Sequence, residues 1–304
     1  MKSSELPPRM DIMLAIDGSQ HALAAANLLN DLPLPAGSLV KALAVLVPRD
    51  ASNHAMLETA LEQTAAIFAG TDVTCDTELL TGYPAEVLAE YSDHFRPDLI
   101  ALGAQGLRAT LGILLGGVVQ QVVEYANWPA LVVRAPYTGL NRILLITDGS
   151  VFSQRAMEYL ATFPLPEKVE LSVMHVLQPL ISPAMIARSW PVSSEAVSAV
   201  PSYETERMLS KQAELEEQEG KALLEHTVSH LQAEGLQATS VLLRGDAATE
   251  IIEYVKTHRI DLIVAGSRGL SQMKRLLLGS LSRKLVHYAG CSVLIVKGGD
   301  YGLG

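Results

Sequence analysis

The stretch GSRGLSQMKRLLLGSLSRK, residues 266–284, holds the densest set of groups able to do chemistry. Two residues separate Gly266 from Gly269, and nine separate Gly269 from the pair Gly279 and Ser280. The first two glycines let the backbone turn tightly and approach a ligand with no Cβ in the way. Gly279 and Ser280 precede an amphipathic stretch, LSRKLVHYA, predicted as a helix. Free N–H groups at a helix start, with the positive end of its dipole, make an anion site. Ser280 reads as an N-cap, as a phosphate ligand, or as both in turn. Arg268, Lys274 and Arg275 add three cations within the loop. One glycine pair would be weak evidence; the full spacing, after a strand and before a helix, is more specific.

The elements that must position this loop come from an internal repeat. IMLAIDGS (12–19) recurs as ILLITDGS (143–150), and LPLP (32–35) as FPLP (163–166), both at an offset of 131. Further on, PDLIALGAQG (97–106) matches IDLIVAGSRG (260–269), and ALVVR (130–134) matches VLIVK (293–297), now at an offset of 163. The second copy therefore carries 32 extra residues, all between Val176 and Gly245. The short Pro/Gly linker APYTG (135–139) separates domains at residues 1–136 and 140–304. Within each, short apolar runs rich in β-branched residues alternate with amphipathic stretches. That pattern predicts an α/β fold, two tandem doubly wound parallel-sheet domains with strands buried on both faces. Ligands in such sheets lie beyond the carboxyl ends of the strands. The positions to inspect are thus Asp148 after the first strand, Val176 near the end of the second, and the loop from Gly266 after the fourth. The excess, an insertion at about 178–210, opens with four prolines and runs into a long acidic helix. It follows the second strand at the ligand-facing edge, as a lid, or as a plain surface excursion or interface arm.

Composition excludes several classes. Apolar residues make up 49% and charged residues 18%, which is globular rather than disordered packing. A net charge of −10 argues against a nucleic-acid or anionic-membrane binder. The longest uncharged stretch, Ala109 to Val123, is broken by three glycines and falls short of the roughly 20 apolar residues of a membrane span. The opening MKSSELPPRM lacks a signal peptide's apolar region. Cys75 and Cys291 sit in apolar runs and read as small buried hydrophobes. A soluble cytoplasmic protein with no membrane insertion is expected.

With these motifs in place, the chain resembles the universal stress protein family, in its tandem two-domain form, over all but the N-terminal tail and the insertion. Its ATP-binding members share G-x2-G-x9-G-(S/T), which the second copy meets in full. The resemblance implies an adenine nucleotide α-hydrolase-like, Rossmann-like fold and a regulatory protein of the stress response that binds ATP or AMP, with Mg2+ or Mn2+ as the accompanying metal. It implies that Asp148 contacts the nucleotide or its metal, that the Val176 backbone reads the adenine edge, and that Arg268 pairs with phosphate. Gly266, Gly269, Gly279 and Ser280 complete that set. It also implies an intrachain pseudo-dimer joined through the last strands, leaves a further homodimer open, and implies at most slow ATP hydrolysis. Enzymes of the wider fold group need an H-x-G-H or S-G-G-x-D-S signature after the first strand, where this chain reads TDGS.

The first copy departs from the pattern. Gly103, Gly106 and Gly116 keep the spacing, but Gln105 replaces Arg268, Gly117 replaces Ser280, and only Arg108 supplies charge. Residues 1–139 hold 7 basic and 15 acidic residues, a balance of −8; residues 140–304 hold 16 and 18, a balance of −2. The first copy is thus expected not to hold ATP. Asp17 and Val45 survive there, consistent with a less charged ligand or with turns the fold itself needs. An apolar pocket for a lipid-like molecule or a protein partner is the rival reading. Blander readings attach to Asp17 and Asp148 as helix caps, to His226 and His230 as solvated residues, and to His175 as a satisfied core histidine.

Overall fold

A computed structural model describes residues 9–106, 115–180, 203–269 and 278–297. In the first half the order is β1 (Asp11–Ile16), α1 (Gln20–Asp31), β2 (Leu39–Leu46), a 3-10 turn (Pro48–Asn53), α2 (His54–Ile67), β3 (Thr74–Thr81), α3 (Pro84–Phe95), β4 (Leu99–Gly103), α4 (Gly117–Tyr125) and β5 (Ala130–Val133). The second half follows with β6 (Arg142–Ile146), α5 (Val151–Thr162), β7 (Glu170–Leu177), α6 (Tyr203–Ala233), β8 (Ala238–Arg244), α7 (Ala247–His258), β9 (Leu262–Gly266), α8 (Ser280–Tyr288) and β10 (Ser292–Val296). The ten strands among the described residues join one sheet, ordered β3-β2-β1-β4-β5-β10-β9-β6-β7-β8. Every neighbouring pair is parallel except β5 and β10, which meet antiparallel with Leu131 opposite Leu294. The last strands of the two copies do pair, and each half repeats the other about a pseudo-twofold axis.

The strands are buried runs because helices cover both faces. One core gathers Ile12, Leu14 and Leu131 with Ile143, Leu160 and Leu294; the other gathers Met13, Ile100 and Val122 with Ile263, Leu285 and Val293. Both cores therefore cross the junction between the halves. In each half the chain runs outward from the first strand and then returns to place the fourth on its other side. That reversal opens a crevice beyond the carboxyl ends of the strands. Most of the expected insertion, residues 181–202, lies outside the described residues; α6, at 31 residues against 14 for α2, carries its far end. No helix among the described residues is long and apolar enough to cross a membrane.

A reciprocal pair of cations ties the halves together. Arg134, just past β5, donates through Nη2 to the carbonyls of Val286 (2.9 Å) and His287 (3.2 Å) at the end of α8. Lys297, just past β10, donates to the carbonyls of Val123 and Glu124 at the end of α4, the latter at 3.5 Å. Each half thus supplies a cation to the negative end of the other half's loop helix, where the macrodipole and the free carbonyls favour it. Arg283 of α8 adds an ion pair to Glu124 of α4 at 2.7 Å.

Candidate functional site

Each crevice is framed by the same backbone contacts. In the second half, the Ser267 amide donates to the Val296 carbonyl (2.8 Å) and the Gly279 amide to the Ser267 carbonyl (2.7 Å). The start of α8 is thereby pinned against the end of β9. The Ser282 hydroxyl, buried, donates to the Gly266 carbonyl at 2.7 Å and fixes the first turn of the helix. The first half repeats the two backbone bonds, from Ala104 to Val133 (2.7 Å) and from Gly116 to Ala104 (2.9 Å).

The glycines divide into two duties. A Cβ on Gly266 would meet the Phe152 carbonyl oxygen at 2.5 Å, so this glycine lets β9 pass the start of α5. Gly103 stands in the same relation to the start of α1. Their shared duty is to the fold. Replacing Gly266 with Ala is expected to destabilise the protein by about 1–3 kcal/mol through overpacking, read as an earlier midpoint in urea unfolding. Gly269 faces the site: a Cβ there would run into Oδ2 of Asp148, as one on Gly106 would into Oδ2 of Asp17. A Cβ on Gly279 would wedge against Arg268 Cα (3.2 Å) and the Ser267 carbonyl (3.3 Å).

Asp148 does not cap α5. Ser150 does, its hydroxyl accepting from the Ser153 amide at 3.2 Å, as Ser19 does for α1 with Ala22 at 3.1 Å. Oδ1 of Asp148 instead accepts from the Ser150 amide at 3.0 Å, and Oδ2 abuts the glycine loop. The carboxylate therefore stands in the crevice, between the end of β6 and the loop after β9. Ser280 is not the N-cap of α8 either. Gly279 takes that position and Ser280 is the first helical residue, with its side chain exposed. The amides of Ser280, Leu281 and Ser282 form the helix start, since the first intrahelical bond runs from Arg283 to Gly279 (3.0 Å).

Val176 is placed by strand alternation. The Met174 carbonyl accepts from Thr147 on the β6 side, whereas the Leu177 carbonyl accepts from Gly245 on the β8 side. The N–H and C=O of Val176 thus face the β6 side, and β6 ends before reaching them, at the level of Met174. Its backbone donor and acceptor are aimed into the crevice. His175 is satisfied by the Thr147 carbonyl, to which Nδ1 donates at 2.8 Å.

The charge at the site is Arg268. Its guanidinium lies over the Phe152 ring, 5.3 Å from the centroid, and its Nε is buried with no hydrogen-bond partner among the described residues. Lys297 lies near enough to feel it: burial first, and the Arg268 charge second, push the Lys297 ammonium down to about 8, with Glu124 opposing. Two cations crowd this end of the second half. Lys274 and Arg275 lie outside the described residues, as does Arg108. No cluster of three His, Cys, Asp or Glu side chains suited to a metal occurs among the described residues. His226 is exposed, in keeping with a solvated helix face.

Sequence reasoning missed the volume of the first-half crevice. It holds a solvent-open cavity of about 440 Å³ whose walls include Asp17, Val45, Met56, Tyr83, Gly106 and Val119. The only hint in the sequence is the aliphatic loop around Gly112; the walls come from separate segments that no local pattern joins.

The universal stress protein family model matches the chain twice, over residues 9–134 and 139–297. Universal stress protein YxiE of Bacillus subtilis is 30% identical over 157 residues, 52% of this chain and 99% of that protein. The crystal structure of a universal stress protein from Archaeoglobus fulgidus superposes with a TM-score of 0.67 at 18% identity, covering 97% of this chain and 99% of that one. PA1789 of Pseudomonas aeruginosa, described as functionally unknown, gives 0.61 at 16% identity over 95% and 92%. These two likenesses bear on the fold, and the paired family matches span nearly all of the sequence. The chain belongs to the universal stress protein family, as a tandem member.

Proposed function

We propose that the protein is a nucleotide-binding regulator that holds ATP or AMP in its second half. The observation carrying this reading is the cationic cradle at the start of α8. There the amides of Ser280 to Ser282 and the exposed Ser280 hydroxyl start the helix, and Arg268, within the glycine turn, carries its guanidinium over the Phe152 ring with a buried Nε that has no partner among the described residues. An anion at that point would satisfy free helix-start amides and meet the positive charge of Arg268. Val176 supplies a backbone donor and acceptor for a base edge, on the far side of Asp148. Asp148 offers one carboxylate, which suits a divalent ion carried in on the phosphates rather than a resident one.

Equilibrium dialysis with labelled ATP tests this. Gly279→Ala pushes the Ser267–Arg268 backbone off its seat, and Ser280→Ala removes a phosphate donor; each is expected to weaken binding ten-fold or more. Gly116→Ala is expected to change little, because its Cβ would make only ordinary contacts at 3.6 Å or beyond. If Gly116→Ala abolished all nucleotide binding, the assignment to the second half would be wrong. Rapid multiple turnover of ATP would make the protein an enzyme instead.

A further inference from the structure

The first-half cavity occupies the same place in the fold as the cradle, with a different chemistry. Its body is aliphatic, built from Val45 and Leu46 at the end of β2, Met56 and Leu57 on α2, and Val118 and Val119 on α4. Asp17 and Asp50 stand on its wall against one cation among its described lining residues, Arg49. The cradle backbone is preserved, with Gly106 pressed onto Asp17 and Gly116 pinned to Ala104. What has gone is charge. Positions equivalent to Arg268 and Ser280 are Gln105 and Gly117, and a Cβ on Gly117 would meet nothing within 4 Å. Crowding therefore does not account for the missing hydroxyl.

Two further observations point to an occupant. The cleft is open to solvent, and its volume of about 440 Å³ lies within the range of small-molecule sites. Three of the ten exposed large hydrophobic side chains among the described residues, Met56, Tyr83 and Val118, stand on this one rim. Water held against such walls is readily displaced by an apolar body. We propose that the first half is a second ligand site, taking an uncharged or cationic molecule with a largely apolar, ring-sized body, and disfavouring nucleoside polyphosphates because Gln105 and Gly117 stand where the other loop has its cation and hydroxyl. The two halves would then report two different ligands through one rigid sheet.

Nile red, a neutral dye that brightens in apolar surroundings, is the probe. One saturable equivalent per full-length chain is expected. Met56→Trp, which fills the cavity from a half-exposed position, should weaken dye binding at least ten-fold while leaving ATP binding unchanged. Tyr83→Ser, at a position 65% exposed and so indifferent to folding, should weaken it several-fold. Gly279→Ala should lower ATP affinity and leave the dye untouched. Dye binding indifferent to both rim variants overturns the proposal, as does one-for-one displacement of the dye by ATP in the Gly279→Ala protein. A wild-type chain that binds dye at this rim but no ATP would uphold this site while removing the nucleotide reading of the other.

Discussion

Exchanging Arg268 for Gln and Ser280 for Gly in one protein is expected to weaken ATP binding by roughly 10²–10⁴. The double change rewrites the second loop with the first half's residues at both positions, on a backbone the two halves share. Each substitution removes one charge-assisted hydrogen bond to phosphate, about 1.5–3 kcal/mol apiece, so the pair amounts to roughly 3–6 kcal/mol. The fold should tolerate it. Ser280 is exposed and does not cap the helix, and Arg268 gives up mainly its place over the Phe152 ring, about 0.5–1 kcal/mol at a partly exposed site. Equilibrium dialysis with labelled ATP reads the affinity, and the urea midpoint confirms that folding is intact. A loss below three-fold in a folded protein would mean that backbone amides alone hold the phosphates, and that the first half differs from the second for another reason.

Much of this was legible in the sequence because the repeat is written in its most buried parts. β1 and β6, β4 and β9, and β5 and β10 are near-continuous apolar runs, as strands covered on both faces must be. The glycine spacing was legible too, because tight turns against another backbone admit few substitutes. The same spacing concealed the division of labour between Gly266, which clears α5, and Gly269, which clears Asp148. Ser280 was open to reading as a cap because serine is a common one; the structure starts the helix one residue earlier, and glycine also serves there. Lys297 was not legible. In VLIVK it resembles a solvated cation ending a strand. The antiparallel meeting of β5 and β10 instead carries it beneath a helix 174 residues away, leaving it 4% exposed. A contact fixed by tertiary pairing leaves no local pattern. The walls and volume of the first-half cavity, for which the sequence offered an apolar pocket only as a rival reading, were hidden for the same reason.

Lys297 gives the second large effect, a stability that rises with pH in a window where most proteins lose it. Its ammonium titrates at about 8 in the folded chain and at its ordinary 10.5 when unfolded, mainly because it is buried and secondarily because Arg268 faces it. Below pH 8 both states carry the proton, and the fold bears the full cost of the buried charge. Between pH 8 and 10.5 the unfolded chain holds more protons than the folded one, so stability climbs with pH, by roughly 3 kcal/mol across the window. Burial pushes the Cys75 thiol up to about 11 and the Cys291 thiol up to about 12, and both act in the opposite sense above pH 9. The comparison that isolates Lys297 is therefore wild type against Lys297→Met, which shares those thiols and most of the volume. Methionine abandons the Val123 and Glu124 carbonyls, a loss that does not vary with pH. The difference in unfolding free energy between the two proteins should accordingly shift in favour of wild type from pH 7 to pH 10.5, with its steepest slope between pH 8 and 10. A difference flat across that range would mean that Lys297 keeps an ordinary proton affinity, and that the cation bridging the two halves reaches solvent.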